Sequence, residues 1–63
     1  MPKYTLIFDT KLFEEREVDA ENLDAAIEKG RAMVYDPLED LEEYQLVGAD
    51  WTTEDGEPAE LRF

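Results

Sequence analysis

The feature that most constrains the fold is a single amphipathic segment in the middle of the chain, residues 22–37, which reads NLDAAIEKGRAMVYDP. Apolar residues and one glycine recur there at spacings of four, three and four, which places them on one stripe of an α-helix: Leu23, Ile27, Gly30 and Val34. Asn22 is suited to cap the first turn, and Pro37 disfavours helical backbone just before it. The pattern therefore predicts one helix that ends near Tyr35, with Gly30 allowing a close approach to a sheet.

The residues before this helix predict a β-hairpin. Residues 3–9 form a short, almost continuous apolar run, which indicates a central strand buried on both faces. Residues 12–19 are more charged, which favours an edge strand because charge there discourages unwanted pairing.

The residues after the helix predict a second hairpin. Residues 45–53 have strand character, and three of them are expected on one side: Val47, Ala49 and Trp51. An Asp-Gly turn and a proline separate them from a short terminal strand at 61–63. We expect an α+β fold in the order ββαββ, a small antiparallel sheet with one main helix packed on one face.

The start of a short second helix is predicted directly after the first. Asp36 can cap it, Pro37 suits its first position, and Glu39 occupies the place of a capping-box acid. Leu38 and Leu41 are three residues apart and are expected to anchor this turn on the core.

The length of 63 residues predicts one domain, residues 1–63, with a small core. Histidine, cysteine and serine are all missing from the sequence, which excludes Ser–His and Cys–His nucleophile pairs and every zinc site built on thiolate or imidazole. We therefore expect no enzyme activity, no metal and no cofactor. No apolar run approaches the length of a membrane span, so we expect a cytoplasmic protein.

Negative charge is concentrated in the second half of the chain. The sequence has 18 acids against 6 bases, a net charge of −12. Residues 36–63 hold ten of those acids but only one base, Arg62. Such a charge repels nucleic acid and anionic membranes and attracts strongly basic surfaces. We expect no direct nucleic-acid binding and no membrane binding, and either a monomer or a homodimer.

Several interpretations of the acids compete. They can form a solvated surface that serves only solubility, or reflect adaptation to high salt, although the nearly balanced first half speaks against adaptation. Catalysis by paired carboxylates needs a cleft that so short a chain can hardly build. A calcium loop with Gly56 as its central glycine would place Trp51, Thr53, Asp55 and Arg62 at its acidic positions, and only Asp55 fits.

The remaining interpretation is mimicry of a nucleic-acid backbone. Acids three or four apart on a helix lie about 5–6 Å from each other, and alternate strand residues about 6.6 Å, comparable with neighbouring phosphates. One row is expected on the turn after the helix, with an extension on the second hairpin. The candidate partner-binding residues are Asp36, Glu39, Asp40, Glu42, Glu43, Asp50, Glu54, Asp55 and Glu57. Their expected partner is a basic nucleic-acid-binding protein or complex.

The acid cluster at residues 39–43, EDLEE, carries a resemblance, and the segment REVDAENLDAAIEKGRAMV (16–34) looks like a strand–turn–helix common in small phage and plasmid proteins. In small size, acidity and ββαββ order the chain resembles phage-encoded inhibitors of host defence, the anti-CRISPR and anti-restriction proteins. The resemblance implies a non-catalytic inhibitor that acts in the host cytoplasm by mimicking DNA charge. The alternative is a small acidic interaction or accessory module whose charge serves only solubility.

Overall fold

Four strands and one main helix make up the fold, seen in a computed structural model that describes residues 2–63. In chain order the elements are β1 (Lys3–Phe8), β2 (Glu14–Asp19), α1 (Leu23–Met33), a 3-10 helix (Pro37–Glu39), β3 (Leu46–Thr52) and β4 (Pro58–Arg62). The predicted α+β class and ββαββ order are confirmed.

The sheet has the strand order β2-β1-β3-β4, and all neighbouring strands are antiparallel. β1 is therefore central and β2 lies at an edge, as the sequence predicts. Each hairpin contributes one central and one edge strand, and pairing of β1 with β3 joins the two hairpins. Two ends of the sheet can be defined from this pairing. At the Phe8 end, β1 finishes and β3 begins; at the Lys3 end, β1 begins and β3 finishes.

Only one face of the sheet is covered. Tyr4, Leu6 and Phe8 point towards α1 and are buried, whereas Thr5 and Ile7 point to the opposite face and are half-buried. The prediction that β1 is buried on both faces is wrong. Among residues 2–63 there is a single main helix, so one layer covers one face and β1 alternates as an ordinary amphipathic strand.

Small side chains let α1 lie close to the sheet. The side-chain oxygen of Asn22 accepts a hydrogen bond of 2.9 Å from the backbone N–H of Ala25, which confirms the predicted cap. A Cβ atom built on buried Gly30 would come within 2.9 Å of Leu6 Cδ1 and 3.0 Å of Leu46 Cδ2. The close approach predicted at Gly30 is confirmed, and leucine side chains make the contact.

A β-bulge changes which residues of β3 face the helix. Ile7 lies opposite Gly48 but Phe8 lies opposite Leu46, so Val47 is an extra residue in the ladder. Ala49 is buried, and Trp51 packs against the core with its ring 5.9 Å from that of Tyr4, as predicted. The prediction for Val47 is wrong. The bulge turns Leu46 towards α1 in its place.

Candidate partner-binding surface

The acids that follow α1 lie in a connection between α1 and β3. We call residues 36–43 the acidic connection. It begins with the predicted cap, in which the side chain of Asp36 accepts a hydrogen bond of 2.9 Å from the N–H of Leu38. The helix that follows is a single 3-10 turn, and it ends where Asp40 adopts a left-handed backbone conformation with φ of 59°. A left-handed residue cannot continue a helix, so the rest of the connection is irregular.

The two leucines of the acidic connection have opposite environments. Leu41 is fully buried and belongs to the core cluster that contains Leu6 and Phe8. Leu38 is 90% exposed, so the prediction that it anchors the turn on the core is wrong. A 3-10 turn of three residues is too short to present both leucines to the core. Leu41 is therefore the leucine that anchors the acidic connection in the core.

Five of the nine candidate acids lie in this connection. Asp40, Glu42 and Glu43 are exposed, and Asp36 and Glu39 are half-buried. The connection joins the end of α1 to the start of β3, so these acids lie at the Phe8 end of the sheet.

The other four candidate acids lie elsewhere. Glu54, Asp55 and Glu57 are exposed in the turn between β3 and β4, which is at the Lys3 end. Asp50 lies on the open face of the sheet, the face away from α1. There its carboxylate accepts a hydrogen bond of 2.8 Å from Arg62.

The structure thus does not bring the nine acids into one row. The acidic connection precedes β3 and the β3–β4 turn follows it, so the seven residues of β3, at about 3.3 Å each, separate the two groups by about 23 Å. This is most of the 35 Å length of the molecule. Two separate acidic groups therefore face opposite ends of the protein.

Arg62 neutralises part of the open face. Its guanidinium lies over Gly48, where a built Cβ would be 2.9 Å from Arg62 Cδ. It donates hydrogen bonds to Asp50 and, over 3.2 Å, to Glu60. The hydrogen bond to Asp50 is the main reason that the pKa of Arg62 is raised above its ordinary value, and the charges of Asp50, Glu60 and Glu15 add to it. Asp50 therefore contributes little free negative charge.

The acidic connection differs in this respect. The ion pairs within residues 2–63 join Lys3 to Glu17, Arg16 to Glu14, and Arg62 to Asp50 and Glu60. None of these pairs includes an acid of the connection or of the β3–β4 turn. The carboxylates of both groups keep their charge available to another molecule.

Sequence reasoning missed a second property of the Phe8 end, which is its exposed apolar surface. Six large apolar or aromatic side chains are exposed among the described residues: Leu12, Phe13, Tyr35, Leu38, Tyr44 and Phe63. All six come from segments at the Phe8 end. Two lie in the β1–β2 turn, three between α1 and β3, and Phe63 follows β4 with its N–H bonded to the carbonyl of Val47. The adjacent pair Leu12-Phe13, next to a turn, was the available signal in the sequence.

A groove opens within this surface, between the end of α1 and residues 42–46. Tyr35 lies on the helix side, Tyr44 on the other side, and Glu42 and Glu43 line it as well. Arg31 is the base that lines this groove, and its guanidinium lies 5.9 Å from the centre of the Phe63 ring. The groove therefore combines aromatic walls with an excess of acid.

The chain matches no family model, no curated protein and no solved structure. Within residues 2–63, no helix is long and apolar enough to span a bilayer, and no group of three or more carboxylates is arranged to hold a metal ion.

Proposed function

We propose that this protein is a non-catalytic inhibitor that binds the nucleic-acid-binding surface of a basic host-defence nuclease or CRISPR effector complex. Its acidic connection would occupy the place of DNA phosphates and block access of DNA to the partner. This mechanism requires no chemistry by the protein itself, and it operates in the host cytoplasm.

The observation that carries the proposal is the free charge of the acidic connection. Five of its eight residues are acids, and the described ion pairs include none of them. A basic groove that normally neutralises phosphates gains the same electrostatic energy from these carboxylates. Because Leu41 anchors the connection in the core, the acids sit on a fixed scaffold and not on a free tail.

The second acidic group, in the β3–β4 turn, has a separate place in the proposal. The seven residues of β3 separate it from the connection by about 23 Å. A long DNA channel can contact both groups, whereas a compact basic patch can contact only one of them. Asp50 contributes least in either case, because Arg62 already neutralises it.

Two triple variants test where the contact is made. One replaces Asp40, Glu42 and Glu43 with lysine, and the matched control replaces the acids of the β3–β4 turn, Glu54, Asp55 and Glu57. Both sets are exposed and both change the net charge by the same amount. Any difference between the two variants therefore reports position and not total charge.

The assay captures partners of the tagged protein from a nuclease-treated host lysate, at low and high salt, and then measures DNA binding and cleavage by the captured partner. We expect the parent to inhibit, binding to weaken steeply with salt, and prior loading with DNA to prevent it. The connection variant should lose inhibition and the turn variant should keep most of it. Inhibition by the connection variant at the level of the parent would refute the proposal.

A second candidate function is a general interaction module whose acids serve only solubility. The observation that favours it is the exposed apolar surface at the Phe8 end. An interface made by these side chains alone would be nearly indifferent to salt and to DNA. The same capture experiment separates the two functions, because only the inhibitor's binding weakens as salt rises and is prevented by prior loading of the partner with DNA.

A further inference from the structure

We infer that the Phe8 end is a docking surface for a basic, amphipathic segment of a partner protein. Apolar side chains of the partner contact the exposed aromatics, and its lysines or arginines lie opposite the acidic connection. The inference deepens the proposed function and rests on it for the place of binding. It adds that the partner surface is both apolar and basic, which a pure phosphate-binding site is not.

Exposed apolar side chains are concentrated at the Phe8 end. Leu12 is 91% exposed, Leu38 90% and Tyr35 83%, although a chain with so few large apolar residues needs most of them for its core. The opposite end, around the β3–β4 turn, has no exposed large apolar side chain among the described residues. Exposed apolar side chains that are concentrated in one region and surrounded by charge are typical of a protein interaction site.

The groove between the end of α1 and residues 42–46 is the concave part of this surface. Its floor includes the half-buried side chains of Val34 and Leu46, and Tyr35 and Tyr44 stand on its two sides. An aliphatic side chain can insert against such a floor. The stem of a lysine or arginine can pack along the tyrosine rings while its charge reaches the acids.

The charge of this end selects the occupant. Asp9, Glu14, Glu15 and the five acids of the connection lie here, against Lys11, Arg16, Arg31 and Arg62. Arg16 is already paired with Glu14, and Arg62 with Asp50 and Glu60. A second copy of this chain would bring the same excess of acid, and nucleic acid would bring phosphates. Both are repelled by this end, whereas a basic polypeptide segment is attracted.

The apolar contacts and the acids have different roles in this arrangement. Charge attraction between exposed groups accelerates association and weakens as salt increases. Burial of aromatic and leucine side chains provides an affinity that persists in salt. The partner segment should therefore remain partly bound at a salt concentration that removes a purely electrostatic ligand.

Two synthetic peptides serve as probes for this surface. One is a short amphipathic helix of leucine and lysine, and the other has the same length and lysine content with glycine in place of each leucine. Dissociation constants and backbone amide shifts are measured by NMR titration of the ¹⁵N-labelled protein. We expect the leucine peptide to bind about tenfold more tightly or better, with shifts concentrated in residues 35–46.

A double variant, Tyr35→Ala with Leu38→Ala, tests the apolar part. Both side chains are exposed, so the fold should be retained. We expect it to weaken the leucine peptide about tenfold and to leave the glycine peptide unchanged. Equal affinity of the parent for the two peptides would overturn the inference, as would shifts confined to the β3–β4 turn. Self-association of the parent in sedimentation equilibrium, abolished by the double variant, would also overturn it, since a second copy would then be the occupant.

The outcomes also separate this inference from the proposed function. If the leucine peptide binds at residues 35–46 but no captured nuclease is inhibited, the docking surface stands and the inhibitor function fails. If nuclease inhibition is lost in the connection variant but is unchanged in the double variant, and the two peptides bind equally, the inhibitor function stands and the apolar docking surface fails.

Discussion

Two leucines in the acidic connection allow a test of what anchors the connection on the core. Leu41 is fully buried in the core, whereas Leu38, three residues earlier, is 90% exposed. Replacing Leu41 with alanine removes one of the three largest fully buried side chains among residues 2–63, which are Leu6, Phe8 and Leu41. Replacing Leu38 with alanine deletes the same atoms from a side chain that faces water. The two variants therefore share their chemistry and differ only in burial.

The expected magnitudes follow from that difference. Truncation of a buried leucine to alanine costs about 2–5 kcal/mol, and an irregular connection can partly collapse into the cavity, so we expect about 2–3 kcal/mol for Leu41→Ala. A chain of this length has a free energy of unfolding of about 3–9 kcal/mol in total. The loss should lower the melting temperature by about 10–20 °C. For Leu38→Ala we expect a change within about 0.5 kcal/mol.

Urea unfolding monitored by circular dichroism measures both variants. The midpoint should fall for Leu41→Ala and stay near that of the parent for Leu38→Ala, with little change in the slope of free energy against denaturant. If Leu38→Ala destabilises the protein as much as Leu41→Ala, then Leu38 is packed against other side chains in solution and is not exposed as described above. If neither variant changes the midpoint, the connection is not anchored by Leu41, and the fixed acidic surface is refuted as well.

Three further predictions concern the rest of the molecule. Gly30→Ala gains about 0.5–1 kcal/mol of helix propensity but forces contacts with Leu6 and Leu46 that cost about 1–3 kcal/mol. Urea unfolding should therefore show a net loss of stability. A more stable variant would contradict the close approach of α1 to the sheet. Asn22→Ala should cost about 1 kcal/mol in the same assay, whereas Asn22→Asp should not, because it keeps an acceptor for the N–H of Ala25. Sodium chloride should raise the melting temperature measured by calorimetry, because it screens the repulsion within a chain of net charge −12. A melting temperature that falls steadily with salt would show that the acids are already neutralised by ion pairs.

Local patterns in the sequence predict most of the fold. The stripe of α1, its asparagine cap and the turn at Asp55-Gly56 each depend on residues close in sequence, and the structure confirms the cap and the turn. In the stripe, Leu23, Gly30 and Val34 face the core as predicted. Ile27 lies outside the core cluster, and Ala26, predicted beside the stripe, is buried instead. Gly30 was also predictable, because a glycine inside an apolar stripe has a cost that a close approach explains. The class and element order follow from the placement of one amphipathic helix between two β-type pairs.

The errors arise where a residue's environment depends on distant parts of the chain. The bulge that exchanges Leu46 for Val47 is fixed by the pairing of β3 with β1, some forty residues earlier, and the local alternation carries no signal for it. Leu38 and Leu41 lie three residues apart, so either could face the core from one helical turn. Only the length of the 3-10 turn decides which of the two is buried.

The candidate site was predictable in composition but not in arrangement. The sequence shows that the acids are concentrated in residues 36–63, but strand β3 runs between the two acidic groups and carries them to opposite ends. Likewise, the exposed apolar residues come from three separate segments, and only the sheet topology brings these to one end.

The pairing of β1 with β3 has a consequence for how the chain folds. These central strands are separated by β2, α1 and the whole connection, so neither hairpin gains a complete sheet until that long loop has closed. Closure of such a loop is entropically costly before any contact compensates for it, and folds dominated by distant pairings fold slowly. A single cut within the connection should therefore leave two fragments that are each disordered alone, and that regain the native sheet only when mixed.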